Sequence, residues 1–194
     1  MTLDSRSEAD RLVEAAVAAD TQRDERASVE LLQRCLALAP RHPIAHYLLG
    51  AACAQRGDNG NALLHLTTAV EGAPNLLEAR LQLGLMWLMT GHPQTATQVL
   101  EPLASVAGDQ AIGRFGLALR ALAGGATAAA CEALKQGFEL PCGNAALVAD
   151  MRALLERLQA QIASGHPDPQ DDAERQVLQH GMAVSAYGRE PGAP

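Results

Sequence analysis

Apolar residues recur along the chain at the three- and four-residue spacing of amphipathic α-helices, in pairs of short segments separated by turns. The clearest pair lies between Pro43 and Pro74. Its apolar faces consist of Leu48, Leu49, Ala52 and Cys53 in the first segment and Ala62, Leu66, Ala69 and Val70 in the second. Gly57 and Asp58 stand between the segments and form a dipeptide that ends helices. The pattern therefore predicts a hairpin of two helices.

This hairpin pattern recurs with a period of about 34 residues, which is the period of helix-turn-helix arrays. A glycine inside a helix lowers helix stability by about 1 kcal/mol relative to alanine, so Gly50 indicates that two helices approach closely near Gly50 and Ala62. Three columns of the repeat each keep one kind of residue: the first column is small, the second is large and apolar, and the third forms the turn. They are Ala16, Gly50, Gly84 and Ala118; Leu32, Leu66, Leu100 and Leu134; and Arg23, Gly57, Gly91 and Gly125.

These columns resemble the tetratricopeptide repeat (TPR) family. In the second copy the matching positions are Leu49, Gly50, Ala62, Leu66, Ala69 and Pro74. His46 and Cys53 stand where the family prefers aromatic residues, and Trp87 restores one aromatic in the third copy. The resemblance covers residues 9–144. It implies an all-α fold, a right-handed α-solenoid of antiparallel helix pairs with four TPR-like repeats.

The period also predicts how the chain is divided. We expect a frayed segment at residues 1–8, an array at 9–163 and a flexible tail at 164–194. Within the array the predicted repeats are 9–42, 43–76, 77–110 and 111–144, followed by a capping helix at 145–163. The tail contains a candidate amphipathic helix at residues 170–187.

Charge and composition exclude several classes of protein. The formal net charge is −7 and the pI is about 5.3, whereas a nucleic-acid-binding protein needs a basic face. The acidic start lacks the apolar run of a secretory signal, and no stretch approaches the ~20 apolar residues of a membrane span. We therefore expect a cytoplasmic protein without membrane insertion. The composition, rich in Ala and Arg with a single Lys, is typical of bacterial proteins.

The sequence contains no catalytic motif, and we expect neither enzymatic activity nor a cofactor. A phosphate-binding loop, a nucleophile elbow and a zinc-binding His-Glu motif are all missing. The four cysteines have no Cys-x-x-Cys spacing, so unreactive thiols are expected. His46 and His65 fall on opposite helices of one hairpin. A metal site there is the weaker interpretation, and polar residues on the helix faces are the stronger one.

The family resemblance implies that the first helices of the hairpins line a concave surface. We expect eleven residues of these helices to face solvent as an apolar groove. They are Ile44, Tyr47 and Ala51 in the second repeat, Leu81, Leu85, Leu88 and Met89 in the third, and Ile112, Phe115, Leu119 and Leu122 in the fourth. No groove position is basic, which argues against a clamp for a free carboxylate or a phosphate.

An exposed apolar groove normally marks a binding site. The sequence therefore predicts a protein-protein interaction module, an adaptor, assembly factor or chaperone, that binds an apolar helix or extended peptide of another protein. Three alternatives stay open at this point. The tail segment 170–187 occupies the groove of its own chain, a homodimer forms through the groove as a structural oligomer, or the chain is an accessory subunit of an enzyme complex.

Overall fold

The structure is a computed structural model that describes residues 3–106 and 110–164. Within these ranges the chain forms nine α-helices and one 3₁₀ helix, without a strand. The helices are α1 (Leu3–Thr21), α2 (Glu25–Leu38), α3 (Pro43–Gln55), α4 (Asn59–Gly72), α5 (Leu77–Met89), α6 (Pro93–Leu100), η1 (Glu101–Ser105), α7 (Ala111–Ala123), α8 (Thr127–Phe138) and α9 (Ala145–Ala163). The predicted all-α solenoid of helix pairs is confirmed. The predicted tail helix 170–187 lies outside the described residues.

The turns inside the hairpins repeat with the predicted period. Arg23, Gly57, Gly91 and Gly125, each one repeat from the next, have positive φ values of 63°, 75°, 79° and 79°. Glycine adopts this left-handed conformation without the steric cost that a Cβ adds. The next residue donates its backbone N–H to a carbonyl near the end of the preceding helix, as Asp58 does to Cys53 over 2.9 Å. This arrangement closes the helix end in the manner of a Schellman motif.

Side chains at the helix starts accept the backbone N–H groups that have no partner within the helix. Asp24 Oδ1 accepts from Ala27 N at 3.0 Å, and Asp58 Oδ1 accepts from Asn61 N at 3.2 Å. The α3 helix is capped differently, because His42 precedes Pro43 and its Nδ1 accepts from the N–H of the third residue of the helix. These caps explain why α2, α3 and α4 begin where they do.

The two helices of a hairpin approach closely at the glycines of the repeat. A Cβ added to Gly50 would lie 2.7 Å from Leu66 Cγ and 3.2 Å from the Leu66 backbone nitrogen. One repeat later, a Cβ on Gly84 would lie 2.5 Å from Leu100 Cγ. The close crossing predicted at Gly50 is therefore confirmed, and the contacting residue is the large apolar residue of the facing helix.

The described residues fall into two compact units, with the boundary between Ala79 and Arg80 in α5. The core of the first unit joins three helices and the segment after α2. It consists of Ala9, Val13, Ala16, Leu32, Cys35, Ala39, Ala45 and Leu49. The second unit includes α9, whose buried face is formed by Leu147, Met151, Leu154 and Leu158. The predicted repeat and tail boundaries stay predictions.

The first helix begins earlier than the pattern indicates. The pattern places the start of the array at residue 9, whereas α1 begins at Leu3. Residues 4–8 are all of polar type, so they cannot contribute to the apolar period from which a helix start is inferred. Among the described helices, none has the length and apolarity that crossing a membrane requires.

Candidate partner-binding surface

In the first unit the structure places one predicted groove residue at the surface. The Ile44 side chain is 45% exposed, which is high for a large apolar residue. Tyr47 and Ala51 follow at helical spacing on the same face of α3, but Tyr47 is only 9% exposed and Ala51 is half-buried. The predicted surface in this unit is therefore centred on Ile44, at the start of α3.

In the second unit the expectation that the groove residues face solvent is wrong for most positions. Leu88, Ile112 and Leu122 are half-buried. The other five predicted residues are buried. They are Leu81, Leu85, Met89, Phe115 and Leu119. These five side chains belong to the core of the unit, so they are not available to a partner in this conformation.

Phe115 shows the physical reason for this burial. Its ring lies against Gly137 of α8, where a Cβ would come within 2.7 Å of Phe115 Cδ1. The ring also contacts Phe138, with 5.4 Å between the two ring centroids. The guanidinium carbon of Arg152 lies 5.0 Å from the centroid of Phe138. Phe115 thus packs onto the neighbouring helix, and the absence of a side chain at Gly137 makes the room for it.

A pocket of about 870 Å³ opens in the first unit beside Ile44. Its walls come from α1, from the segment between α2 and α3 with the start of α3, and from the end of α4 with the segment between α4 and α5. The lining residues are Asp10, Ala39, Pro40, Arg41, His42, Pro43, Ile44, Gly72, Ala73, Asn75 and Leu76. Most of the lining is apolar, with Asp10, Arg41, His42 and Asn75 as the polar groups.

One wall of the pocket is fixed by a hydrogen bond between α1 and the start of α3. His42 Nε2 lies 2.9 Å from Asp10 Oδ1, and His42 Nδ1 lies 3.3 Å from the backbone nitrogen of Ala45. Because a backbone N–H can only donate, Nδ1 must be the acceptor and the ring proton is on Nε2. His42 therefore donates to Asp10 while it caps α3.

Two further histidines lie directly behind this wall. His46 Nε2 lies 3.0 Å from the Pro40 carbonyl oxygen, and His46 Nδ1 lies 2.9 Å from Nδ1 of His65 on α4. Burial and the neighbouring His46 lower the pKa of His65, against a smaller opposite effect of Asp58. The two imidazoles are thus hydrogen-bonded to each other. In the part of the chain that is described, no three His, Cys, Asp or Glu side chains cluster in a way that could hold a metal ion.

The cysteines do not extend this site. Cys35, Cys53 and Cys131 are buried, and Cys142 is half-buried. Burial raises the pKa of the Cys35 and Cys131 thiols, with a further contribution from Asp10 at Cys35. A thiol with a raised pKa has little thiolate near neutral pH and is a poor nucleophile.

No protein-family model matches the chain, and a search of curated proteins gives no match. Solved structures are similar to it. A thermophilic TPR protein in Thermus thermophilus is 20% identical with a TM-score of 0.59, over 91% of this chain and 99% of that one. MamA from Desulfovibrio magneticus RS-1, from residue 41 to its end, is 17% identical with a TM-score of 0.55, over 92% and 96%. The chain has the tetratricopeptide-repeat fold. At these identities the likeness concerns the fold alone.

The period of the tetratricopeptide repeat relates two residues of the pocket to each other. Asp10 and Ile44 are one repeat apart, so they occupy the same position in successive TPR hairpins and both line the pocket. Arg41, Asn75 and Leu76 lie in connecting segments, where the repeat pattern makes no statement about side chains. The repeat pattern therefore indicates Ile44 and its equivalent Asp10, but not the connecting segments that complete the pocket.

Proposed function

We propose that this tetratricopeptide-repeat protein is a non-catalytic interaction module that binds an apolar or amphipathic segment of another protein at the pocket beside Ile44. In this proposal it acts as an adaptor, assembly factor or chaperone in the bacterial cytoplasm. The observation that carries the proposal is the Ile44 side chain, 45% exposed on the wall of a largely apolar pocket of about 870 Å³. A soluble protein exposes such a combination chiefly where something binds.

The chemistry of the pocket supports a peptide as the ligand. Ile44, Pro43 and Leu76 offer an apolar surface, and burial of one partner Leu or Ile side chain there would contribute about 1.5–3 kcal/mol. Arg41 and Asn75 lie in the same lining and provide donors for the carbonyl groups of a partner backbone. An apolar floor with a few polar groups is the usual form of a peptide or small-ligand site.

The predicted groove residues outside this pocket have a smaller role in the proposal. Leu88, Ile112 and Leu122 are half-buried residues of the second unit, and binding at the pocket does not depend on them in this proposal. In this proposal the five buried residues of the second unit stabilise its core and do not contact the partner. With a formal net charge of −7 the chain is unsuited to nucleic acid, so the proposed partner is a protein.

The partner is tested by a photo-reactive amino acid placed at position 44, with position 64 as a matched control. Leu64 is an apolar residue of α4, 61% exposed, and is not part of the pocket lining. The proposal predicts a discrete cross-linked product with another protein from position 44 and none from position 64. No product from position 44, or equal products from both positions, would contradict it.

The same experiment separates the alternatives, because each gives a product of a different mass. A cross-link between two copies of the chain would identify a homodimer through this face. A cross-link within one chain to residues 170–187 would identify the tail as the occupant. Either result would replace the proposed partner.

A further inference from the structure

The second repeat carries a titratable pair where the neighbouring repeats carry none. One repeat before His46 and His65, the equivalent residues are Leu12 and Leu31, two apolar residues packed against the core of the first unit. One repeat after them, the equivalent residues are Arg80 and Val99, where Arg80 Nη1 donates to the Val99 carbonyl oxygen over 3.2 Å. In the second and third repeats this position therefore joins the two helices of a hairpin. In the second repeat alone of these three, the contact between the two helices at this position is made by a pair of imidazoles.

The number of protons that the pair can hold follows from its geometry. The Pro40 carbonyl oxygen can only accept, so His46 Nε2 carries a proton. The 2.9 Å contact between the two Nδ1 atoms requires one proton between them. The neutral pair meets this requirement, and so does the pair with one added proton, on His65 Nε2. A second added proton places two N–H groups against each other, and the contact must open.

This pair is coupled to the wall of the pocket. His46 Nε2 donates to the carbonyl oxygen of Pro40, and Pro40 lines the pocket together with His42. Residues 39–42, the connecting segment between α2 and α3, are further held by the His42 N–H, which donates to the Ala39 carbonyl oxygen at 3.0 Å. The connecting segment therefore loses one of its anchors when the His46 ring moves.

The charged and titratable groups around the pair are few among the described residues. At the start of α4, the capping residue Asp58 acts on His65 and is itself influenced by Arg56. On the side of the connecting segment, His42 donates to Asp10 of α1, and Arg41 is exposed. Asp58 favours a charged His65, but burial and His46 oppose the charge more strongly.

We propose that the addition of two protons to the His46–His65 pair in acid opens the contact between the two Nδ1 atoms, releases the connecting segment 39–42 from α3 and thereby opens one wall of the pocket. The part of this inference that concerns ligand binding rests on the proposed function. The pair is then a pH-dependent control of the pocket, closed near neutral pH and open in acid.

The direction of the effect follows from the proton count of the pair. The open arrangement holds two more protons than the neutral closed one, so a fall in pH favours the open arrangement. Burial and the neighbouring His46 lower the pKa of His65, which favours the neutral and therefore closed pair near neutral pH.

Hydrogen exchange of single backbone amides, followed by NMR on the full chain, tests this proposal without a partner. The probe is the His42 amide, which donates to Ala39 O in the connecting segment. The internal control is the Leu76 amide, at the equivalent position one repeat later, which donates to Ala73 O at 2.9 Å in a segment without the histidine pair. Protection is compared at pH 7.5 and pH 5.5 after correction for intrinsic exchange.

We expect the protection of the His42 amide to be lower at pH 5.5 than at pH 7.5, because the open arrangement binds more protons, while that of Leu76 stays constant. Constant protection at His42, or an equal fall at both amides, would overturn the proposal. A failure of the cross-linking experiment at position 44 would leave this result untouched. The two proposals therefore fail separately.

Two variants taken from the other repeats extend the test. H46L/H65L reproduces the apolar pair of the first repeat, and H46R/H65V reproduces the pair of the third. In both variants the exchange at the His42 amide should be independent of pH, whatever its absolute level. If a variant that folds shows a fall in the protection of the His42 amide as large as that of the wild type, other groups cause the pH dependence and the proposal is wrong.

Discussion

At the scale of single residues, Arg23 is the place where the chain departs from its own turn pattern. Its φ of 63° is the conformation that glycine adopts at Gly57, Gly91 and Gly125. Left-handed backbone costs a residue with a Cβ about 1–2 kcal/mol, and part of this is offset by the greater freedom of glycine in the unfolded chain. We expect R23G to raise the free energy of unfolding by about 0.5–1 kcal/mol, measured by urea denaturation.

The reciprocal change at Gly57 is the control for this prediction. G57A places a Cβ on a residue with a φ of 75° and should lower the free energy of unfolding by about 1 kcal/mol. Both positions are exposed, so packing contributes little to either value. A loss of stability in R23G would show that the Arg23 side chain stabilises the turn more than its backbone strains it.

At the scale of helices, the close approach of α3 and α4 at Gly50 gives a second prediction. A Cβ there would lie 2.7 Å from Leu66 Cγ and 3.2 Å from a backbone atom that cannot move away easily. Overpacking of this kind costs about 1–3 kcal/mol, so G50A should lower the urea midpoint. G60A is the matched control, because a Cβ at Gly60 in α4 meets nothing within 4 Å.

The control should change stability in the opposite direction. An alanine is more favourable than a glycine inside a helix by roughly 0.5–1 kcal/mol, and less at a helix start such as position 60. If G50A were as stable as G60A, the two helices would not be in contact at this point.

The burial of Phe115 in α7 gives a third prediction, which replaces the role in partner binding that its sequence position suggested. F115A removes a fully buried ring that packs on Gly137 and Phe138, so it should destabilise the protein by about 3–5 kcal/mol. L117A, on the same helix, removes a side chain that is 41% exposed and should cost far less. Equal thermal shifts in the two variants would contradict the assignment of Phe115 to the core.

The comparison of pattern and structure is clearest at this scale. The repeat period was sufficient to predict the hairpins, their turns and the crossing at Gly50, because each depends on a residue type at a fixed position. It could not predict where α6 changes to the 3₁₀ helix η1. That change occurs at Glu101, one residue before Pro102, which has no N–H to donate to the helix ladder. It also could not predict which faces of α5 and α7 are covered.

The covered faces of α5 and α7 could not be predicted for a physical reason. Apolar side chains at helical spacing indicate which face of a helix avoids water, but Leu81 and Phe115 occur on helices that are apolar around most of their circumference. For such helices the buried face is decided by the neighbouring helix, as it is for Phe115 by Gly137. Only Ile44 among the predicted residues combines the expected position with high exposure.

At the scale of the whole molecule, the proposed binding site occupies a limited part of the chain. The pocket residues all belong to the first unit, and the histidine pair that we connect to pH belongs to it as well. The second unit contributes a core and three half-buried residues of the predicted groove. A chain with this division should keep its binding activity when half-buried positions such as Leu88 are shortened to alanine, provided that it stays folded.

The most direct test of the central claim is the equilibrium dissociation constant of the partner captured from position 44, measured at neutral pH with wild type, I44D and L64D. Both substitutions replace an exposed large apolar residue by the same charge, so general effects on solubility are matched. We expect I44D to weaken binding at least about tenfold, which is the loss that corresponds to the removal of about 1.4 kcal/mol of apolar contact. We expect L64D to bind like the wild type. Wild-type affinity in I44D, or an equal loss in L64D, would contradict the central claim.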